Sequence, residues 1–177
     1  GTSYFPNGQA HGITPYKNGK ISGITRFYYP NGKLEWEIPY KNDKEEGKVI
    51  NYYKNGEIKQ IATYKKGLKE GVLKGFYEDG TPKYETRYLH GKKEGISKTF
   101  YDNGKLRSKA TYKHDKLNGK DIKYYKYGGI TYEYNYKNGL RDGHSISYHE
   151  KTGEIRDKFW FRKGLLVDPY GNEGIVG

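Results

Sequence analysis

The sequence predicts an all-β protein, a single-layer elongated antiparallel meander sheet built from 24-residue repeats. Three observations carry that prediction. Glycine recurs at Gly8, Gly32, Gly56, Gly80, Gly104 and Gly128, each 24 residues after the last. A second glycine series, Gly23, Gly47, Gly71, Gly95, Gly119 and Gly143, keeps the same step, as do Tyr16, Tyr40, Tyr64, Tyr88, Tyr112 and Tyr136. Between these marks apolar and polar residues alternate, which is the period of a strand, and no window shows a helical period with caps. A fixed period of this length marks a repeat architecture.

The elements follow in order. Each copy opens on a β-rich segment ending in paired aromatics, as in "FYYPNG" or "TFYDNG", then turns on Gly. Pro6 and Pro30 suit the first central position of a type I turn. A three-residue loop, Pro30, Asn31 and Gly32, then places Gly32 left-handed in a G1 bulge, and Gly56, Gly80 and Gly104 do the same. This puts Tyr29 opposite Lys33, Tyr28 opposite Leu34, Arg26 opposite Trp36 and Ile24 opposite Ile38. The same rule pairs Phe100 with Leu106, Ile96 with Ala110, Tyr124 with Ile130 and Ile122 with Tyr132. One face thereby gathers Ile24, Tyr28, Leu34, Trp36 and Ile38, with Arg26 over Trp36 and Lys74 over Tyr84 as cation–π pairs. The other connection, "YKNGKISG" or "YKKGLKEG", also holds a residue at positive φ, and Asp43 and Asp115 replace the glycine there. A seventh copy, "YHEKTG", carries one inserted residue. The array is read as residues 1–164, about six full repeats and a partial seventh. Residues 165–177 abandon the period and are read as a cap or tail.

Composition narrows the class further. Hydrophobic residues are only 33% of the 177, too few for the core of a two-layer sandwich of this size. The 21 Tyr and 6 Phe argue against disorder, because disordered chains are poor in aromatics. Absence of Cys excludes disulfides and thiolate metal sites. Absence of Met reads as a processed or trimmed chain, and export to the periplasm, the surface or the medium is the expectation. No apolar run is long enough to span a bilayer as a helix. The net charge of +12 suits an acidic protein, an anionic lipid surface or a nucleic acid.

At this point the punctuation resembles a known family. "YYPNGKL", "YYKNGEI", "FYEDGTP" and "FYDNGKL", each followed by a "YKNGK..G"-type loop, are similar to the bacterial variant of the MORN repeat, over residues 4 to about 164. The resemblance implies an extended antiparallel sheet without catalytic residues, and a role in protein scaffolding or on acidic phospholipid. It also implies an antitoxin role of the YwqK kind.

The residues themselves offer little catalytic chemistry. The five histidines fall at unrelated positions of the repeat, so no metal site is expected. No glycine-rich loop runs from strand to helix, and no nucleophile–base set stands out. No enzyme activity and no cofactor are expected. Binding is the remaining class. Lys105, Arg107 and Lys109 alternate on one strand with no acid among them, and Tyr101 is placed beside them. Lys83, Arg87 and Tyr77 repeat the pattern one copy earlier. This basic face is the predicted binding site for an acidic protein partner. Trp36, Arg26 and Tyr84 on the apolar face are the alternative site. Anionic lipid or cell-envelope polymer is the second reading for the partner and single-stranded nucleic acid the third. Exposed strand edges add edge-to-edge self-association.

Overall fold

The computed structural model describes residues 1–168, in two compact units, one running from Gly1 to Lys92 and the other beginning at Lys93. The first unit holds β1 (Thr2–Tyr4), β2 (Ala10–Ile13), β3 (Tyr16–Lys17), β4 (Lys20–Ile21), β5 (Gly23–Tyr28), β6 (Leu34–Lys41), β7 (Lys44–Glu45), β8 (Gly47–Tyr52), β9 (Ile58–Lys65), β10 (Leu68–Lys69), β11 (Gly71–Phe76) and β12 (Pro82–Leu89). The second holds β13 (Lys92–Phe100), β14 (Leu106–Lys113), β15 (Lys116–Tyr124), β16 (Ile130–Lys137), β17 (Leu140–Tyr148), β18 (Ile155–Arg162) and β19 (Leu165–Val167). No helix occurs among the described residues. Each unit is an open antiparallel meander in which a long strand pairs with the next. Strands β3 and β4 form a small ladder of their own. Strand β19 pairs with β18. The rest of the predicted cap, from residue 169, lies outside the described residues.

The aromatic-pair turns form as their residues dictate. The Tyr29 amide donates to the Lys33 carbonyl and the Gly32 amide to the Tyr29 carbonyl, both at 2.8 Å. Gly32, Gly56, Gly80 and Gly104 all have positive φ, at 79, 98, 84 and 77°. In the seventh copy the inserted residue widens the loop, and His149 bonds to Glu154 instead. The opposite connections are two-residue turns with both φ values positive, for example Lys66 at 52° and Gly67 at 82°, which is the type I′ signature. Asp43 and Asp115 sit at 66° and 68°, as their place in the repeat predicts.

Beyond each aromatic-pair turn the predicted register is one residue out. Tyr28 does face Leu34, but Phe27 then faces Trp36, so Glu35 is an extra, bulged residue. The same shift recurs at Lys59, Lys83, Arg107, Thr131 and Arg156. Arg26 therefore faces Glu37 rather than Trp36, and forms an ion pair with it at 3.0 Å. Lys74 faces Glu85, at 3.6 Å, rather than Tyr84. Ile24 faces Pro39, Ile96 faces Thr111 and Ile122 faces Glu133. The single apolar face predicted for Ile24, Tyr28, Leu34, Trp36 and Ile38 is split in two. Trp36 and Ile38 share a face with Phe27 and Thr25; Tyr28 and Ile24 lie on the other. The apolar pattern Leu34, Trp36, Ile38 runs straight through this point in the sequence, yet the extra residue puts Leu34 and Trp36 on opposite faces, so period-2 patterning alone does not reveal it.

The core is thin and made of small side chains. Val49, Ala62, Ala110 and Val167 are its buried apolar members; Thr25, Asn51, Thr86, Asp121, Ser145 and Ser147 are buried with them. Half-buried rings lie beside these residues on the same face. Such a layer needs few aliphatic side chains, which accounts for the low hydrophobic content. The closing glycine and closing tyrosine of the repeat meet across the ladder, as Gly23 with Tyr40 and Gly47 with Tyr64. Gly47 has φ 117°, and a Cβ there would lie 3.2 Å from the Pro39 ring, so both conformation and space select glycine.

Candidate functional site

The site is built from two recurring arrangements and one departure from them. The first arrangement lies at the aromatic-pair turns. In four of the pairs the second tyrosine sends its hydroxyl 23 residues onward to a backbone carbonyl. Tyr29 donates to Tyr52, Tyr53 to Phe76, Tyr101 to Tyr124 and Tyr125 to Tyr148, at 2.7 to 2.9 Å. The turn asparagines run the same way. Asn31 accepts from the Lys33 amide through Oδ1 and donates through Nδ2 to the Lys54 carbonyl, and Asn103 does so between Lys105 and Lys126. Over the tyrosine rings lie the bulge cations: Lys59 over Tyr53 at 5.6 Å, Lys83 over Tyr77 at 5.1 Å and Arg107 over Tyr101 at 5.7 Å. The bulge is what turns these cations onto the rings.

The second arrangement lies at the type I′ turns. A carboxylate from one repeat holds the turn of the next. Glu46 accepts from the Lys66 amide at 2.7 Å, Glu70 from His90 at 2.9 Å and Glu94 from His114 at 2.9 Å. These are non-glycine residues at positive φ, and the charge-assisted bond offsets part of that strain. Beside them a further cation covers a ring: Lys69 over Tyr88 at 5.2 Å, Lys93 over Tyr112 at 5.0 Å and Arg141 over Phe161 at 5.2 Å.

The predicted basic site is only partly brought together. Arg107 is exposed and lies on Tyr101. Lys105 is also exposed, but its ammonium donates to the Tyr127 carbonyl at 3.0 Å. Lys109 does not share a face with Ser108, whose hydroxyl bonds Thr99 at 2.6 Å; it stands directly opposite Lys98 and beside Ile122. The bulge at Arg107 separates them. In the first unit Lys83 is likewise on Tyr77, while Arg87 faces Val72 and is exposed. Of the alternative site, Arg26 is held by Glu37, and Tyr84 lies over Gly75 with its hydroxyl donating to the Gln60 side chain at 2.7 Å. Burial raises the Tyr84 hydroxyl pKa above its ordinary value, with Tyr53 and Tyr88 adding to the effect.

Trp36 lines a groove of about 440 Å³ together with His11, Phe27, Ile38, Val49 and Tyr64, and with Glu35 and Glu45. The His11 ring lies between those of Phe5 and Phe27, tilted against both, with ring centroids 4.7 and 5.8 Å apart. Sequence reasoning missed this groove, because its walls come from strands whose relative register the bulge decides. Among the described residues no group of three His, Asp or Glu side chains is placed to hold a metal ion.

Strand pairs that stack only on their neighbours, bonded repeat to repeat along both edges, define an open β-repeat protein. The model of the MORN repeat variant matches residues 21–42, 45–66, 69–90 and 93–114, in the phase of the 24-residue step. The chain thus carries four tandem MORN variant repeats, a repeat associated with binding. No curated protein matches the chain.

Proposed function

We propose that the chain is a non-catalytic binding scaffold whose basic residues meet an acidic surface of a protein partner. One observation carries the reading. Lys98 and Lys109 stand directly opposite one another, and among the described residues neither has a carboxylate within ion-pair distance, whereas Lys74, Lys120 and Arg26 are each matched to a glutamate. Like charges directly opposite cost tenths of a kcal/mol, about 0.2–1 per pair, and an acidic partner removes that cost on binding. Exposed Arg107 and Lys105 in the same unit, and Lys83 and Arg87 in the first, extend the basic character. An antitoxin-like pairing, in which the partner is an acidic toxin, is one form this scaffold takes. The stacked cations and bonded hydroxyls leave Tyr53 and Tyr101 poorly placed to stack on bases, which weighs against single-stranded nucleic acid.

The test is a capture of partners from the source cells at low and high salt, followed by a change of Lys105, Arg107 and Lys109 together to Gln. The fold is expected to survive. Affinity for the captured partner should fall tenfold or more at physiological salt, with a flatter salt dependence. Unchanged affinity removes this site. A second reading, attachment to anionic lipid or envelope polymer, is favoured by the lysines facing each other across the type I′ turns, Lys17 with Lys20 and Lys41 with Lys44. Flotation with anionic vesicles, absent with neutral ones, is its expected sign.

A further inference from the structure

Two positions of the repeat hold a cation over an aromatic ring, and in the Trp36 groove both reverse sign. At the bulge position Lys59, Lys83 and Arg107 lie over Tyr53, Tyr77 and Tyr101; 24 residues before Lys59 stands Glu35. At the second position Lys69 and Lys93 lie over Tyr88 and Tyr112; 24 residues before Lys69 stands Glu45, beside Tyr64. Each carboxylate lies near enough to a tyrosine hydroxyl to act on it. Burial first, and then Glu45, raises the Tyr64 pKa; burial and then Glu35 raise that of Tyr29.

These two carboxylates are also unusual in being unpaired. Every other half-buried glutamate of the described residues is engaged. Glu37 holds Arg26 and Tyr52, Glu85 holds Lys74 and Glu133 holds Lys120. Glu46, Glu70 and Glu94 hold turn amides. The carboxylates of the half-buried Glu35 and Glu45 have neither a hydrogen bond nor an ion pair among the described residues, in a chain of net charge +12. Half-buried carboxylates beside aromatic rings fit a cation that the other repeats supply from within.

We propose that the Trp36 groove binds a basic peptide segment, one cationic side chain on Glu35 by Trp36 and a second on Glu45 by Tyr64. The spacing selects a peptide over a lone amine. Trp36 and Tyr40 are four residues apart on β6, and Tyr40 faces Glu45. Four residues of strand span roughly 13 Å, beyond the reach of one ammonium group. An extended peptide with basic residues at i and i+4 matches that span, and its residue i+2 rests on Ile38 and Val49. The site is distinct from the basic residues discussed above, takes the opposite charge and does not depend on them.

The probe is an acetylated, amidated peptide Lys-Ser-Val-Ser-Lys, titrated to millimolar concentration against the whole chain while the Trp36 indole N–H resonance is followed. The resonance should shift saturably. The double variant Glu35→Lys, Glu45→Lys installs the residues that other repeats carry, so it should keep the fold and bind at least tenfold more weakly. If that variant does not fold, Glu35→Gln and Glu45→Gln are each expected to weaken binding threefold or more. The Gln triple variant at Lys105, Arg107 and Lys109 should bind the peptide like the wild type, which separates this site from the acidic-partner reading. The proposal is overturned if the resonance does not move, if the carboxylate-reversed variants bind as well as the wild type, or if a Glu-Ser-Val-Ser-Glu peptide binds better. Equal binding of n-butylammonium overturns the two-cation spacing.

Discussion

Gly75 and Tyr84 show how a single position sets the local packing. The two face each other across β11 and β12, and the Tyr84 ring lies over the bare backbone of Gly75. A Cβ on Gly75 would fall 2.2 Å from that ring. Gly75→Ala therefore forces the ring aside and should cost about 1–3 kcal/mol, the usual range for overpacking. The next copy indicates the remedy. There Thr99 faces Ser108, so a β-branched residue is tolerated opposite a small one. In Gly75→Ala, Tyr84→Ser the two changes should couple favourably, so that the double variant is more stable than the sum of the single losses predicts. Urea melts of the four proteins measure the coupling. Additive effects would mean that the ring moves freely and the contact matters little.

At the scale of the hairpin, the edge hydrogen bonds decide how firmly neighbouring repeats hold. Tyr53 donates to the Phe76 carbonyl at 2.7 Å, while its ring carries Lys59. Tyr53→Phe keeps the ring and removes the bond, and should lower stability by about 1 kcal/mol. Tyr127, with 76% of its surface exposed, is the control, and Tyr127→Phe should leave the melt unchanged. At the opposite edge Glu70→Ala removes the acceptor for the His90 amide, which sits at φ 50°. A loss of about 1–2 kcal/mol is expected, since a charged acceptor makes the stronger bond. If either edge variant melts like the wild type, the edge bonds are decoration and the ladders alone carry the array.

For the whole chain, periodicity and tyrosine content set the behaviour. Within each unit a strand pair stacks on its sequence neighbours, so the stability of a unit is close to a sum over its repeats. Deleting residues 45–68 removes one period of 24 and joins Lys44 to Lys69 in phase. The product should keep its β circular dichroism and melt cooperatively at a lower temperature. Deleting residues 45–56 breaks the phase and should abolish the cooperative melt. Alkaline pH is the second probe. Tyr40, Tyr53, Tyr64 and Tyr84 all have hydroxyl pKa values raised above 10.0, with burial as the leading cause. A raised value means that the folded chain holds these protons more tightly than the unfolded one. Their contribution is complete below pH 10 and is lost as pH rises through the folded values. The melting temperature should therefore be flat through neutral pH and fall above about pH 10, in step with tyrosinate absorbance. A fall beginning near pH 8 would point to other groups.

Much of this protein was set by the sequence alone. The 24-residue step, the glycines at positive φ and the asparagine and aspartate turns are local, and backbone sterics act within a few residues, so they can be read in one dimension. The meander follows from them, because short turns leave antiparallel pairing as the only option. The bulge at Glu35 and its repeats could not be read this way. The apolar residues of the sequence alternate straight through it, and the extra residue shows itself only where two strands meet. That one-residue slip moved Arg26 from Trp36 to Glu37, parted Lys109 from Arg107 and laid the bulge cations on the tyrosine rings. It also brought Glu35 and Glu45 to the Trp36 groove without a cation to match them. Which charges share a face is a property of register between strands, and register was decided only by the tertiary structure.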